Sequence, residues 1–222
     1  MAFKAYKALI ATAFGALVLA QTAFGQVNPP SWWNQNDGFT SSFGWTFDKS
    51  DWPPVPTIDL EPYGPPSWSK DGRTAWFEQV TDHSGVWGVP AGGDGKLDIT
   101  FKNQSSTDYI KHVWAQIDFF KGEAGELDLE LSTAIGCSIE NLVTSSVDIG
   151  NGWQRGTATF DIIPQPDWES IGFDLHSPAG QNDGVYVDNF YFGTHCETGV
   201  PSPAALLPFA LGAIVAFRRR RR

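Results

Sequence analysis

The stretch ELDLELSTAI, residues 126–135, alternates side chains of opposite character over most of its length. Its apolar positions, Leu127, Leu129, Leu131 and Ile135, fall on one side of an extended chain, and its acidic and hydroxyl side chains fall on the other. Successive side chains of a β-strand point to opposite faces, so this pattern predicts a strand with one buried face and one solvent-facing face.

Between the two ends of the chain the same alternation recurs, and no segment there longer than a turn or two shows a helical period. Clusters of Gly, Pro, Asn and Asp, such as residues 92–95 and 180–184, separate the alternating runs. About eight strands at this spacing predict an all-β fold, an antiparallel β-sandwich of the jelly-roll type. The predicted strands are Phe43–Asp48, Arg73–Val80, Lys96–Lys102, Lys111–Phe120, Glu126–Ile135, Gly156–Ile163, Ser170–His176 and Val185–Phe192.

The charge of the chain is unevenly distributed. Its 222 residues, a length that suits one domain with short extensions, include 25 acidic and 15 basic residues. Seven of the basic residues lie at Lys4, Lys7 and Arg218–Arg222, so the part between these ends carries a net charge of −17. A domain this acidic repels phosphate backbones, which argues against nucleic acid as a partner.

Residues 1–25 have the three parts of a secretory signal peptide. Lys4 and Lys7 form a basic segment, Ala8–Ala20 is apolar, and residues 23–25 offer the small side chains that signal peptidase reads. The alternative is a membrane anchor, but the apolar run has 13 residues, whereas a spanning helix needs about 20. We therefore expect a signal helix, export, cleavage near Gly25 and a domain over residues 26–197.

Residues 198–222 combine a break, an apolar segment and a basic block. Val200, Pro201, Ser202 and Pro203 precede an apolar run over residues 204–217, and five arginines follow. The run has 14 residues. As a helix it would cover about 21 Å at ~1.5 Å per residue, less than the ~30 Å hydrocarbon core of a membrane. The alternative is an ordinary tail anchor with its arginines on the cytoplasmic side.

This three-part tail resembles the PEP-CTERM sorting signal of bacteria that make extracellular polysaccharide, a signal read by the membrane transpeptidase exosortase. The usual Val-Pro-Glu-Pro motif appears here with Ser202 in the third position, and the resemblance covers about a tenth of the chain. It implies transient anchoring by a short hydrophobic helix, removal of the tail by exosortase, and delivery of the domain to the outer cell surface or the extracellular matrix.

Cys137 and Cys196 are the two cysteines of the sequence. In an exported protein an oxidised pair is the first expectation. A bridge closing a loop of about 60 residues would stabilise the fold by about 4 kcal/mol in the chain-entropy description. The alternative is two buried thiols.

The predicted strand Lys111–Phe120 carries the most suggestive set of polar and aromatic side chains. Trp114, Gln116 and Asp118 share one face of it. An aromatic ring beside an amide and a carboxylate suits sugar recognition, because the ring stacks on a pyranose while the polar groups bind hydroxyls. Asp174 and His176 lie opposite the apolar side of another strand, so the five would form a shallow groove if the two strands are neighbours. The alternative places Trp114 in the core and the polar groups at strand ends.

No motif for a known type of catalysis is present in the sequence. The four histidines are far apart without zinc-ligand spacing, and there is no nucleophile elbow and no phosphate-binding loop. A glycosidase needs two carboxyl groups about 5–9 Å apart. Glu78 with Asp82, or Asp118 with Asp174, could form such a pair, but solvated surface carboxylates are the favoured interpretation.

The stretch GVYVDNFYF, residues 184–192, resembles the last strand of carbohydrate-binding-module jelly rolls of the galactose-binding-like type. In such modules the aspartate often helps to hold a structural calcium ion, so the resemblance implies Asp188 as a ligand. Asn36 or Asp37 could supply further oxygen ligands of the kind that calcium prefers. The alternative is that Asp188 lies at a bulge or caps a loop.

Together these features predict an exported, non-catalytic β-sandwich that is sorted to the cell surface or matrix and associates with extracellular polysaccharide. The expected partners are signal peptidase and exosortase during processing and a glycan afterwards, with calcium as the one candidate cofactor. A secreted glycoside hydrolase or lyase using carboxylates on the same face is one alternative. A purely structural matrix protein without a ligand is another.

Overall fold

A computed structural model describes residues 27–60, 63–180 and 182–198 of the chain. These residues form twelve β-strands and no helix. The strands are β1 Thr40–Trp45, β2 Ile58–Leu60, β3 Ser67–Gly72, β4 Ala75–Val80, β5 His83–Val89, β6 Asp94–Lys102, β7 Tyr109–Lys121, β8 Glu126–Thr133, β9 Ser138–Gly150, β10 Trp153–Ile163, β11 Trp168–His176 and β12 Val185–Thr198.

The strands form two antiparallel sheets. The large sheet has the order β2-β1-β12-β7-β10-β9, and β5 with its hairpin partner β4 pairs with the beginning of β12. The small sheet has the order β3-β6-β11-β8. Most strand pairs in both sheets join strands that are distant in sequence.

The core lies between the two sheets, where their apolar faces meet. Phe101 of the small sheet stacks on Phe192 of the large sheet with ring centroids 3.8 Å apart, and Phe173 contacts Phe190 edge-on. Burying side chains of this size stabilises the fold by roughly 1.5–3 kcal/mol each. The prediction of an all-β antiparallel sandwich is confirmed.

Most predicted strands are present with shifted ends, but four strands were not predicted. The alternation of residues 126–131 orients Leu127, Leu129 and Leu131 toward the core as expected. Ile135 was expected on the same face and is instead fully exposed, because β8 ends at Thr133 and the chain turns there. The strands that the sequence did not indicate are β2, β3, β5 and β9.

The prediction of a disulfide between Cys137 and Cys196 is wrong. Both residues are free thiols. Cys196 lies opposite Lys111 on β7, and Lys111 lies opposite Ile162 on β10. Ile162 in turn lies opposite Ile139 on β9, two residues after Cys137. Three strand spacings of about 4.8 Å separate the two positions, whereas a bridge requires Cα atoms within about 7 Å.

We expect a reducing agent to leave the melting temperature of the protein unchanged, because no bridge constrains its unfolded chain. Thermal unfolding followed by circular dichroism with and without a phosphine reductant checks this. Thiol titration of the unfolded, unreduced protein should find both cysteines reactive. A melting temperature that falls by several degrees in reductant would instead support the predicted disulfide.

The predicted signal peptide and the predicted sorting tail lie outside the described residues, apart from Thr198 at the end of β12. No helix in the part of the chain that the structure describes is long and apolar enough to cross a membrane.

Candidate functional site

The structure does not bring the five predicted sugar-binding residues together. Trp114, Gln116 and Asp118 lie on β7 in the large sheet, whose neighbours are β10 and β12. Asp174 and His176 lie on β11 in the small sheet, whose neighbours are β6 and β8. The predicted common groove is therefore wrong, because its two strands belong to opposite sides of the sandwich.

The outer face of β7 is covered by the segment that precedes β1. The indole of Trp33 lies over that of Trp114, with ring centroids 6.0 Å apart, and the backbone N–H of Asn28 donates to Oε1 of Gln116 at 3.2 Å. Gly193 makes room for this cover, since a Cβ there would lie 2.8 Å from Nε1 of Trp33. Trp114 is 3% exposed as a result, so its ring is not a surface platform for sugar.

Asp118 belongs to a buried ionic network on the same face. The guanidinium of Arg155 binds it in a bidentate manner, with Nε donating to Oδ1 at 2.7 Å and Nη2 to Oδ2 at 2.8 Å. The side-chain amide of Asn189 donates both to Asp118 and to Asp188, which lies opposite Asp118 in the β7–β12 register. His83 completes the row, with Nδ1 lying 2.8 Å from Oδ2 of Asp188.

Burial shapes the protonation of this network. It raises the pKa of the Asp188 carboxyl, and the hydrogen bonds from His83 and Asn189 offset only part of that effect. Burial by itself would lower the pKa of His83, but the hydrogen bond to Asp188 together with the charges of Asp188, Asp82 and Asp118 outweighs it, so the net shift is upward. Burial also raises the pKa of the Tyr191 hydroxyl to about 12. Arg155 and His83 lie against the two buried carboxylates of this network.

The surroundings of Asp188 do not fit a calcium site. Its carboxylate accepts hydrogen bonds from Asn189 and lies beside the His83 ring, whereas calcium binds six to eight oxygen ligands. Oδ2 of Asp37 lies 4.0 Å from Nδ1 of His195, and Asn36 directly precedes Asp37. His195 is seven residues after Asp188 on β12, a separation of about 23 Å along the strand. Within the described ranges no three His, Cys, Asp or Glu side chains are arranged to hold a metal ion. Calcium at Asp188 stays a prediction of the resemblance alone.

The alternative interpretation of Asp188, a residue at a β-bulge, agrees with the register of β12. Between Asp188 and Tyr191, β12 contains one more residue than the β7 segment that it faces. Asn189 has a φ of 47° in this bulge, a left-handed conformation that Asn tolerates better than most residues. The bulge directs the Asn189 amide toward both aspartates.

Asp174 and His176 lie on the acidic outer face of the small sheet. Lys96 Nζ donates to Oε2 of Glu130 at 2.6 Å, and His176 contacts Asp94. Burial raises the pKa of the Asp174 carboxyl, and the hydrogen bond and the charge of Glu130 raise it further. This face is a cross-strand network of charges without an aromatic platform beside Asp174.

Neither of the two carboxylate pairs considered for hydrolysis forms a cleft. Asp118 and Asp174 lie in different sheets. Asp82 is exposed at the β4–β5 turn, where Asn151 donates to it and lowers its pKa. Neither Asp82 nor Glu78 lines a described pocket.

A pocket of about 260 Å³, here called the end pocket, opens at one end of the sandwich. Its wall combines the start of β1, the start of β7, the end of β12 and three loops. Backbone hydrogen bonds join these segments, from Cys196 to Phe39 at 3.1 Å and from Gln165 to Tyr109 at 3.0 Å. The lining residues are Gly38, Phe39, Thr40, Ser41, Tyr63, Asn103, Gln104, Ser105, Ser106, Tyr109, Lys111, Gln165, Thr194 and Cys196.

Aromatic rings stand at the mouth of the end pocket. Phe39 is 60% exposed and Tyr63 is 42% exposed, although both are large apolar side chains. The ring of Tyr109 lies beside that of Phe39, with centroids 6.2 Å apart. Amides and hydroxyls from the loop over residues 103–106 and from Gln165 line the rest of the wall.

The end pocket rests on a buried ion pair that joins the two sheets. Lys111 on β7 donates to Oε1 of Glu169 on β11 at 2.6 Å, and each side chain is 1% exposed. Asn103 bridges the pair, accepting from Lys111 and donating to Glu169. Burial raises the pKa of the neighbouring Cys196 thiol, which keeps it protonated at neutral pH and therefore a weak nucleophile.

A second depression, of about 550 Å³ and more open to solvent, adjoins the end pocket. The two share Ser105, Ser106 and Gln165, and the second continues over residues 134–137 and 164–167. The two are here together called the groove, because they meet at these three residues.

The end pocket could not be predicted from the sequence, because its lining residues come from six separate segments. Phe39 and Tyr63 lie outside any alternating run, and the polar loop over residues 103–106 looks like an ordinary connection. The one signal in the sequence was the density of aromatic residues before β3, which include Phe39 and Tyr63.

No family model matches the sequence, and no curated protein matches it. Among solved structures, the enzymatically active domain of tailspike protein 4 from bacteriophage CBA120 is similar to this chain, with a TM-score of 0.29 and 14% sequence identity. The similarity covers 57% of this chain and 19% of the tailspike chain, so this chain spans about a fifth of that protein's length. No function follows from a similarity of this size.

Proposed function

We propose that this protein is a non-catalytic, exported β-sandwich that associates with extracellular polysaccharide through the end pocket. The observation that carries the proposal is the pair of exposed rings, Phe39 and Tyr63, at the mouth of a pocket lined by amides and hydroxyls. Large apolar side chains are normally covered, and a ring left in solvent beside hydrogen-bonding groups is the arrangement that binds a pyranose.

The charge of the end pocket favours a neutral or polar glycan. Among its described lining residues the one cationic side chain is Lys111, which is neutralised by Glu169 below the floor. Hydrogen bonds from Asn103, Gln104 and Gln165 suit hydroxyl groups, because an amide both donates and accepts. The strongly acidic remainder of the domain repels polyanions, which favours the same class of ligand.

The shape of the groove favours a chain over a single sugar. The end pocket alone, at about 260 Å³, is slightly smaller than typical small-molecule sites of about 300–1,000 Å³. The adjoining depression past Gln165 extends it along the surface. A polysaccharide would place one residue on the rings and its neighbours along this extension.

A binding role fits the described wall better than hydrolysis does. Glycoside hydrolysis uses two carboxyl groups that flank the scissile bond. The described lining residues of the end pocket contribute rings, amides, hydroxyls, a paired lysine and a protonated thiol instead, and those of the adjoining depression add one carboxylate, Asp167, rather than a pair.

The ends of the chain support the location of this activity. Residues 1–25 and 198–222 have the composition of a signal peptide and of a PEP-CTERM-like sorting tail. We propose that signal peptidase and exosortase process them, so that the domain reaches the surface or the matrix where polysaccharide is found.

Retention of the full-length chain on a panel of immobilised neutral polysaccharides tests the binding role. We expect retention on at least one glycan and no soluble sugar products. Replacing both Phe39 and Tyr63 by Ala should weaken binding at least about tenfold, because truncating a ring that anchors a ligand removes more than about 1 kcal/mol.

The matched control is Phe77→Ala, which removes a half-buried ring of β4 that lies outside both the end pocket and the adjoining depression. It should bind like the wild type. Soluble sugar products would identify a hydrolase or lyase instead, and no retention on any glycan would favour a purely structural protein. Equal loss in the control and in the double variant would contradict the end pocket as the site.

A further inference from the structure

Strand β9 is an exposed edge of the large sheet. Its 13 residues pair with β10 on one side and with no other described strand on the other. Alternate residues of such an edge direct their backbone N–H and C=O groups away from the sheet. Apolar side chains accompany these free groups, with Val143 63% and Val147 59% exposed.

The other sheet edges carry charge or are short along their whole length, whereas the centre of β9 has neither protection. Strand β2 has three residues, β3 contains Lys70 and Asp71, β4 contains Glu78, and β8 alternates acidic side chains along its length. Short length and charge both prevent edge-to-edge pairing. The central part of β9, residues 142–147 with the sequence LVTSSV, has no charge and no proline.

We propose that β9 is the interface of a symmetric homodimer, in which two copies pair antiparallel about a two-fold axis at Ser145 and join their large sheets. This arrangement places Val143 of each copy opposite Val147 of the other. Ser145 lies opposite itself. The inference is independent of glycan binding, because the end pocket includes no residue of β9.

The distribution of side chains on β9 favours a second copy as its occupant. The register with β10 pairs Val143, Ser145 and Val147 with Thr159, Thr157 and Arg155, so all three share the outer face. An axis perpendicular to the sheet keeps the outer faces of both copies on one side. The two valine pairs then flank the axis, and apolar or β-branched pairs directly opposite each other stabilise a sheet.

Charge is compatible with the same register. The two charged residues of β9 are Glu140 and Asp148, one on each side of the uncharged stretch. With the axis at Ser145, Asp148 lies opposite Leu142 and Glu140 opposite Gly150. No carboxylate therefore opposes another directly, whereas like charges at opposed positions would destabilise the pair.

Introducing a charge at Ser145 tests the dimer and its register together. The variants Ser145→Lys and Ser145→Glu each place like charges opposite each other at the axis, and we expect each to raise the dimer dissociation constant at least about tenfold. An equimolar mixture of the two should form a heterodimer, because it places Lys opposite Glu. Sedimentation equilibrium of the full-length chain measures all four samples.

The matched control is Ser132→Lys, a change at an exposed serine on the edge strand β8, which should dimerise like the wild type. Circular dichroism should show the same fold for every variant. A monomeric wild type at concentrations of several hundred micromolar would overturn the proposal and would leave β9 to an extended segment of another protein. Undiminished association of Ser145→Lys would also overturn it, since the interface would lie elsewhere.

Discussion

Replacing Lys111 by Met is expected to lower the free energy of unfolding by about 3–5 kcal/mol, the loss that follows when one partner of a buried ion pair is removed. Lys111 and Glu169 are each 1% exposed and join β7 of one sheet to β11 of the other. Without the ammonium group, the carboxylate stays buried with only Asn103 as a donor. Urea unfolding followed by the fluorescence of the ten tryptophans measures the change.

A double variant separates the ion pair from the packing. Lys111→Met combined with Glu169→Met removes both charges and retains similar volumes, and buried pairs replaced in this way are often neutral or stabilised. We expect it to recover most of the stability that the single variant loses. If the double variant were as unstable as the single one, the position would require its shape or its hydrogen bonds rather than charge balance.

Replacing Asp118 by Asn is expected to lower the free energy of unfolding by about 3 kcal/mol. The carboxylate accepts two hydrogen bonds from Arg155 and one from Asn189, and it is buried. An amide of the same shape would place its NH₂ group against these donors and would remove the charge that compensates Arg155. The same urea titration measures this loss.

The control for this variant is Asp128→Asn, which changes an exposed carboxylate on β8 by the same chemistry. Its effect should stay within about 0.5 kcal/mol, as for most surface substitutions. If Asp118→Asn instead retained stability and lost glycan binding, Asp118 would be a ligand residue, as its sequence pattern predicted.

Strands whose residues alternate in character could be predicted from the sequence, whereas β2, β3, β5 and β9 could not. In β8 the leucines alternate with acidic residues because one face meets the core and the other meets water. Strand β9 is exposed on both faces over most of its length, so its side chains follow no period of two. Strand β2 has three residues, too few to show any period.

For the predicted sugar-binding face of β7, the sequence could predict even less. The shared face of Trp114, Gln116 and Asp118 on β7 follows from alternation and is present. Whether that face meets solvent depends on Trp33, a residue some 80 positions earlier that packs over Trp114. The pattern of β7 alone therefore predicted the face correctly but not its burial.

The sequence by itself determined the all-β class, the inward face of each half-buried strand and the acidic charge of the domain, because these depend on the order of residues and the alternating geometry of an extended chain. Only the tertiary structure decided which strands are neighbours. It separated Asp118 from Asp174 and Cys137 from Cys196, and it assembled the end pocket from distant segments. Antiparallel pairing across loops of variable length leaves no local trace in the sequence, so contacts of this kind are set by the packing of the whole domain.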